Sequence, residues 1–205
     1  MKIIFDLDGT LICSKKRLYE LFCNLLDSRK LNFKYYWDLK LNGYRNQDIL
    51  KSKFGYSEDQ IKIFVNNWMK NIEADHYLEM DTAFAGLHGF LEKISINNQI
   101  YICTARQSVQ QTMNQLKDLD ILDFFDDVFI TEQRVTKTKL LLNSNLVFSE
   151  SDWFIGDTGH DITTGKQLGI QTCAVLSGFM NESALKSYKP DRIIDNVTLL
   201  DVKND

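Results

Sequence analysis

The chain has 205 residues, 44% of them hydrophobic and 25% charged, and a single proline, Pro190. Against an average proline usage of about 5%, this excludes proline-rich linkers, collagen-like repeats and most disordered compositions, and 13 Phe, 8 Tyr and 3 Trp supply the apolar mass of a core. With 24 bases against 28 acids the formal charge is -4, so the totals carry no general attraction to nucleic acid or to an anionic membrane.

Lys2 to Leu7 form a short β-branched and aromatic run stopped by Asp8-Gly9-Thr10, the pattern of a strand buried on both faces. The run reaches two aspartates before a signal-peptide core could form. Lys15 to Phe84 contain no strand-like run; Ile61, Phe64, Val65, Trp68, Met69 and Ile72 make one helical stripe, opened by Ser57 and Gln60 at capping-box spacing. We read residues 15–84 as a helical insert and the stripe as packing. Strand-like runs return at Ile100–Cys103, Val128–Thr131, Trp153–Ile155 and Thr172–Leu176. Between them, Val109, Met113 and Leu116 follow a candidate N-cap at Ser108. Leu140 to Leu142 begin a helix after Thr138, and Ile162 and Leu168 belong to a helix ended by Gly169. This alternation predicts an α/β fold, a doubly wound, Rossmann-like parallel sheet built from residues 1–14 and 85–205. The cysteines, Cys13, Cys23, Cys103 and Cys173, lack metal-ligand spacing and read as reduced thiols. No apolar stretch approaches the roughly 18 residues of a membrane span, and the expectation is a cytoplasmic monomer or dimer.

Four aspartates fall just past strand ends, where a doubly wound sheet places its working groups. Asp6 and Asp8, at i, i+2, point the same way, and Gly9 lets the chain turn tightly. In Gly156-Asp157-Thr158-Gly159-His160-Asp161 the second acid returns to the same spot as a helix starts. Converging carboxylates are costly unless a hard cation neutralises them, and an all-oxygen set suits Mg²⁺. Either segment alone also reads as an ordinary turn or helix cap. Other candidates fail on spacing. Gly159 to Lys166 has five residues between its glycines and Gln167 in place of Ser or Thr, so it is no P-loop, and His76, His88 and His160 form no ligand set. Arg106 is open between a phosphate contact and a salt bridge.

Asp6-Leu7-Asp8-Gly9-Thr10, a strand ending in Thr104, a lysine opening a later helix and Gly156 to Asp161 resemble the four ordered motifs of the haloacid dehalogenase-like superfamily. The chain is similar to its phosphoglycolate phosphatase-like branch, whose helical cap is inserted between the first two motifs. From Asp6 to Thr104 is 98 positions, then 33 to Lys137 and 20 to Asp157.

The resemblance implies a Mg²⁺-dependent phosphatase of a small phosphorylated metabolite. Asp6 attacks phosphorus to form an aspartyl-phosphate; Asp8 protonates the leaving oxygen and then activates water, its backbone carbonyl joining the metal set. Asp6 and Asp157 supply metal carboxylates, and Asp161 steadies the metal shell or the lysine. Thr104 donates to a phosphoryl oxygen and Lys137 offsets its charge. Lys137 is preferred to Lys139 because it stands four residues before Leu141, the family's lysine-to-leucine spacing, although the proline that usually follows is here Thr138 and another is Ala85. Thr10, Ala105 and Arg45 are implied substrate contacts, and the cap aromatics Tyr35, Tyr36, Trp37 and Tyr44 are either specificity residues or cap core. Asn42-Gly43-Tyr44-Arg45 is loosely similar to the basic cap segment of sugar phosphomutases, with its arginine one place out of step. A phosphomutase is therefore the alternative, and a phospho-receiver module a more distant one.

Overall fold

The computed structural model describes residues 1–26 and 31–201. They divide into two compact units, one of Met1–Cys13 with the chain from Thr82 onward, the other of Ser14–Asp81. The first unit starts with β1 (Lys2–Phe5), and β2 (Ile12–Cys13) pairs antiparallel with β3 (Thr82–Ala83), so the chain leaves and re-enters this unit through one short ribbon.

The second unit holds α1 (Lys15–Leu25), α2 (Phe33–Leu41), α3 (Asn46–Phe54), α4 (Glu58–Asn71) and α5 (Asp75–Leu78). The capping box read from Ser57 and Gln60 is present at the start of α4, whose Ile61 and Phe64 are buried. Phe22 packs on Tyr36 and Phe64 at ring separations of 4.9 and 5.6 Å. Tyr36 and Trp37 are therefore core, while Tyr35 and Tyr44 stay exposed. Arg17 and Asp81, almost without solvent contact, pair at 3.1 Å, and Arg17 Nη1 donates to the Ile72 carbonyl at 3.0 Å. This pair ties the two ends of the unit together.

In the first unit α6 (Leu87–Ser95), β4 (Gln99–Thr104), α7 (Val109–Asp118), β5 (Asp127–Ile130), α8 (Lys137–Leu142), β6 (Trp153–Gly156), α9 (Gly159–Gln167), β7 (Gln171–Val175), α10 (Glu182–Lys186) and β8 (Arg192–Ile194) follow in turn. The strands form one parallel sheet in the order β5-β4-β1-β6-β7-β8 among the described residues. Period-two alternation sorts their side chains. Ile3, Phe5, Ile102 and Ile155 meet Leu87, Leu91 and Leu116 of α6 and α7 on one face, and Ile4, Tyr101, Cys103 and Phe154 meet Leu141 of α8 on the other. Both faces are covered, which is why the central strands carry apolar residues at successive rather than alternate positions, as in Ile3-Ile4-Phe5 and Trp153-Phe154-Ile155.

Ser108 caps α7 as read, accepting from the Gln111 amide at 3.2 Å, and Gly169 follows α9 at φ 71°. The helix expected after Thr138 begins earlier, at Lys137, because Thr136 is its N-cap and accepts from the Lys139 amide at 3.2 Å. The four cysteines are free thiols. No helix among the described residues is long and apolar enough to cross a membrane.

Candidate active site

The chain leaves β1 towards β4 and β5 on one side, whereas β6 leads to β7 and β8 on the other. The carboxyl ends of β1 and β6 thus flank the point where strand order reverses, the place where open α/β sheets form a crevice. Asp6 directly follows β1 and is held to β6 by its amide, which donates to the Ile155 carbonyl at 2.8 Å. Asp157 directly follows β6, and Asp161 lies in the first turn of α9. All three are buried, and each offers a carboxylate oxygen within 4.8 Å of the others'.

Asp157 and Asp161 have donors of their own, and Lys137 joins Asp161 to Asp6. Thr158 donates from its amide and hydroxyl to Asp161 Oδ2 at 3.0 and 2.6 Å, completing the capping box of α9. The Phe179 amide donates to Asp157 Oδ2 at 2.8 Å, and the Thr10 hydroxyl lies 3.4 Å from Oδ1. Lys137, first residue of α8, donates to Asp6 and Asp161 at 2.6 Å each. Lys139 is exposed, so the geometry brings the first of the two candidate lysines to the acids. Two glycines make this packing possible. Gly9 has φ +86°, and a Cβ there would stand 2.6 Å from Asp157 Oδ2; a Cβ on Gly178 would collide with the same carboxylate. The Ser177 hydroxyl closes the loop by donating to the Gly9 carbonyl at 2.7 Å.

Three carboxylates against one ammonium leave an excess of buried negative charge. Burial pushes the Asp6 carboxyl up to about 7, with Lys137 opposing the rise and Asp161 adding to it. Asp157 is raised well above the carboxylate range, first by burial and then by Asp6 and Asp161. Burial works against the Lys137 ammonium, but Asp161 and Asp6 outweigh it and the lysine's pKa is raised. An all-oxygen, over-negative, buried set of this kind fits a hard divalent cation.

Of the other residues singled out in the sequence, Thr104 ends β4 beside β1 and is buried, and Ala105 is exposed. Asp8 does not add its carboxylate to the trio. Arg106 grips it instead, Nε donating to Oδ2 at 2.5 Å and Nη2 to Oδ1 at 2.9 Å. Of the two readings open for Arg106, the salt bridge is the one formed. Arg45 belongs to the helical unit, where it precedes α3 and pairs with Asp48 at 3.1 Å in an exposed capping arrangement. The Phe179 amide and the close approach of Gly178 to Asp157 leave no mark in residue spacing.

The model of the haloacid dehalogenase-like hydrolases matches residues 3–175. The chain belongs to that family and is a hydrolase, which removes the receiver-module reading. Among its relatives, the pyrophosphatase PpaX of Oceanobacillus iheyensis is 28% identical over 203 residues, covering 95% of this chain and 92% of that one. A haloacid dehalogenase-like family hydrolase from Streptococcus pneumoniae superposes with a TM-score of 0.77 at 26% identity, over 95% of this chain and 93% of its own. YfnB of Bacillus subtilis, in a structure bound to magnesium, superposes at 0.63 with 16% identity over 96% and 94% of the two chains, a likeness of fold.

Proposed function

We propose that the chain is a Mg²⁺-dependent phosphatase that hydrolyses a small phosphomonoester through an aspartyl-phosphate on Asp6. The observation that carries the reading is the convergence of Asp6 with Asp157, Asp161 and Lys137 at the reversal point of the sheet. The phosphatase and hydrolase names of the relatives support it. An acid at Asp8 supports it too, because a leaving alkoxide needs a proton donor and a leaving halide does not.

Asp6 and Asp157 would hold the ion with the Asp8 backbone carbonyl, and Asp161 would complete or steady that set. When bound, the ion supplies Lewis-acid stabilisation of phosphoryl charge and cancels the repulsion between a carboxylate nucleophile and a phosphate dianion. The Asp6 carboxylate adds to phosphorus as the bond to the leaving oxygen breaks, and Asp8 delivers the proton that oxygen requires. Asp8, now a carboxylate, takes a proton from the water that attacks the acyl-phosphate, which restores both aspartates. Thr104 and Lys137 present a hydroxyl and an ammonium to the phosphoryl oxygens throughout.

The test is release of inorganic phosphate from an aryl phosphate with and without EDTA, followed by a panel of phosphoglycolate, sugar phosphates, nucleoside monophosphates and pyrophosphate. Asp6→Asn is expected to be inert on all of them, and turnover by that variant refutes the nucleophile assignment. Pyrophosphate belongs in the panel because of the PpaX name. Transfer of the trapped phosphoryl group to a sugar phosphate rather than to water would instead make the enzyme a mutase.

A further inference from the structure

Asp8, assigned the proton transfers above, lies just past β1 and bridges to Ile12, with its side chain 18% exposed. The guanidinium of Arg106, 4% exposed, meets both Asp8 oxygens through Nε and Nη2, a two-point contact that sets the plane of the carboxylate as well as its position. The same Nη2 donates to Gln115 Oε1 at 3.0 Å. Gln115 is buried on α7, whose start is fixed by the Ser108 cap. The guanidinium is therefore anchored on a helix of the rigid unit as well as by its own backbone, which lies between β4 and α7 two residues beyond Thr104.

We propose that Arg106 is a positioning residue for Asp8, aimed by Gln115, and that the Gln115–Arg106–Asp8 chain sets the line of proton transfer to the leaving oxygen and from the attacking water. In the first half-reaction Asp8 gives its proton to the leaving oxygen as the phosphorus–oxygen bond breaks and the Asp6–phosphorus bond forms. In the second it takes a proton from water as that water's oxygen displaces Asp6. A lysine would offer a point charge without the plane. The inference rests on the phosphatase reading above, and its test separates the two.

The experiment compares kcat/KM for p-nitrophenyl phosphate, whose leaving group departs as a stable anion, with that for an alkyl phosphate, whose leaving group must be protonated. Because kcat/KM reports only steps up to loss of the first product, it isolates the proton donation. In Arg106→Gln, kcat/KM for the alkyl ester is expected to fall about 100-fold, the scale of a misplaced catalytic group. For the aryl ester it falls no more than about fivefold, since general-acid help is little needed there. The aryl ester also shows a burst of nitrophenolate, one equivalent per enzyme, because water activation in the second half still needs a placed Asp8. In an Asp8→Asn background the Arg106→Gln change is expected to add little, as coupled residues do. Gln115→Leu keeps both charges and is expected to show the same selectivity at about one-tenth the size. Equal losses on both esters, a loss expressed in KM alone, or full additivity with Asp8→Asn would overturn the proposal, giving Arg106 a phosphate-binding or purely structural part. A wild-type protein inert on both esters would instead refute the phosphatase reading.

Discussion

Replacing Lys137 by Met removes the ammonium that pairs with Asp6 and Asp161 and keeps most of the side-chain volume. The lysine side chain is 10% exposed and its partners Asp6 and Asp161 are 10% and 1% exposed, so solvent screens neither contact appreciably. Two ion pairs at 2.6 Å are attractive, but burying all three groups costs much of that attraction. The measurable quantity is the penalty of leaving carboxylates behind without their cation, about 3–5 kcal/mol. The penalty depends on pH. Asp6 rises from 3.8 unfolded to about 7 folded, so it binds a proton more tightly in the native state. Its contribution to metal-free stability is full below about pH 3.8 and is lost as pH rises through 7. Below about pH 7 Asp6 carries a proton and asks little of the Lys137 charge; above it the carboxylate needs that charge in full. Urea denaturation in EDTA is therefore expected to show a Lys137→Met deficit of about 3–5 kcal/mol at pH 8 that shrinks at pH 5. Lys139→Met, on an exposed position, is expected to stay within about 0.5 kcal/mol of wild type. A deficit under about 1 kcal/mol at pH 8, or an equal one in Lys139→Met, refutes the reasoning.

On the proposed function a divalent cation competes with protons for Asp6, whose carboxyl burial pushes up to about 7. The Mg²⁺ concentration giving half-maximal activity is accordingly expected to rise by up to about tenfold per unit as pH falls below 7, and a value unchanged between pH 6 and 8 would contradict it. Gly178→Ala places a Cβ against the Asp157 carboxylate. Overpacking at that point is expected to cost about 1–3 kcal/mol of stability and to weaken Mg²⁺ binding, both read from thermal melts with and without the ion; a variant that binds Mg²⁺ like wild type would show that the loop yields freely.

Much of the fold is written locally. The runs at Lys2–Phe5, Gln99–Thr104 and Trp153–Gly156 pack on both faces, so every residue after the first of Lys2–Phe5 and Gln99–Thr104, and all of Trp153–Gly156, is buried, which leaves a mark in sequence. The caps at Ser57 and Ser108 are equally legible, because the donor and acceptor lie within three residues of each other. The start of α8 is less legible: the sequence suggests a helix after Thr138, whereas Thr136 is the cap and Lys137 the first helical residue, its ammonium meeting Asp6 and Asp161, 131 and 24 residues away.

The aspartates at positions 6, 8, 157 and 161 were visible because their chemistry is carried by residue type and by their place after a strand. Which of them share a site was decided only by tertiary structure. The reversal of strand order sets β1 beside β6 and so brings Asp6 to Asp157, while the Asp8 carboxylate is gripped by the guanidinium of Arg106, 98 residues along the chain. Sequence spacing determines which face or turn a side chain leaves from. The direction in which an ionised group finally points depends on charges that only the folded sheet brings within reach, and those partners leave no periodic trace in the chain.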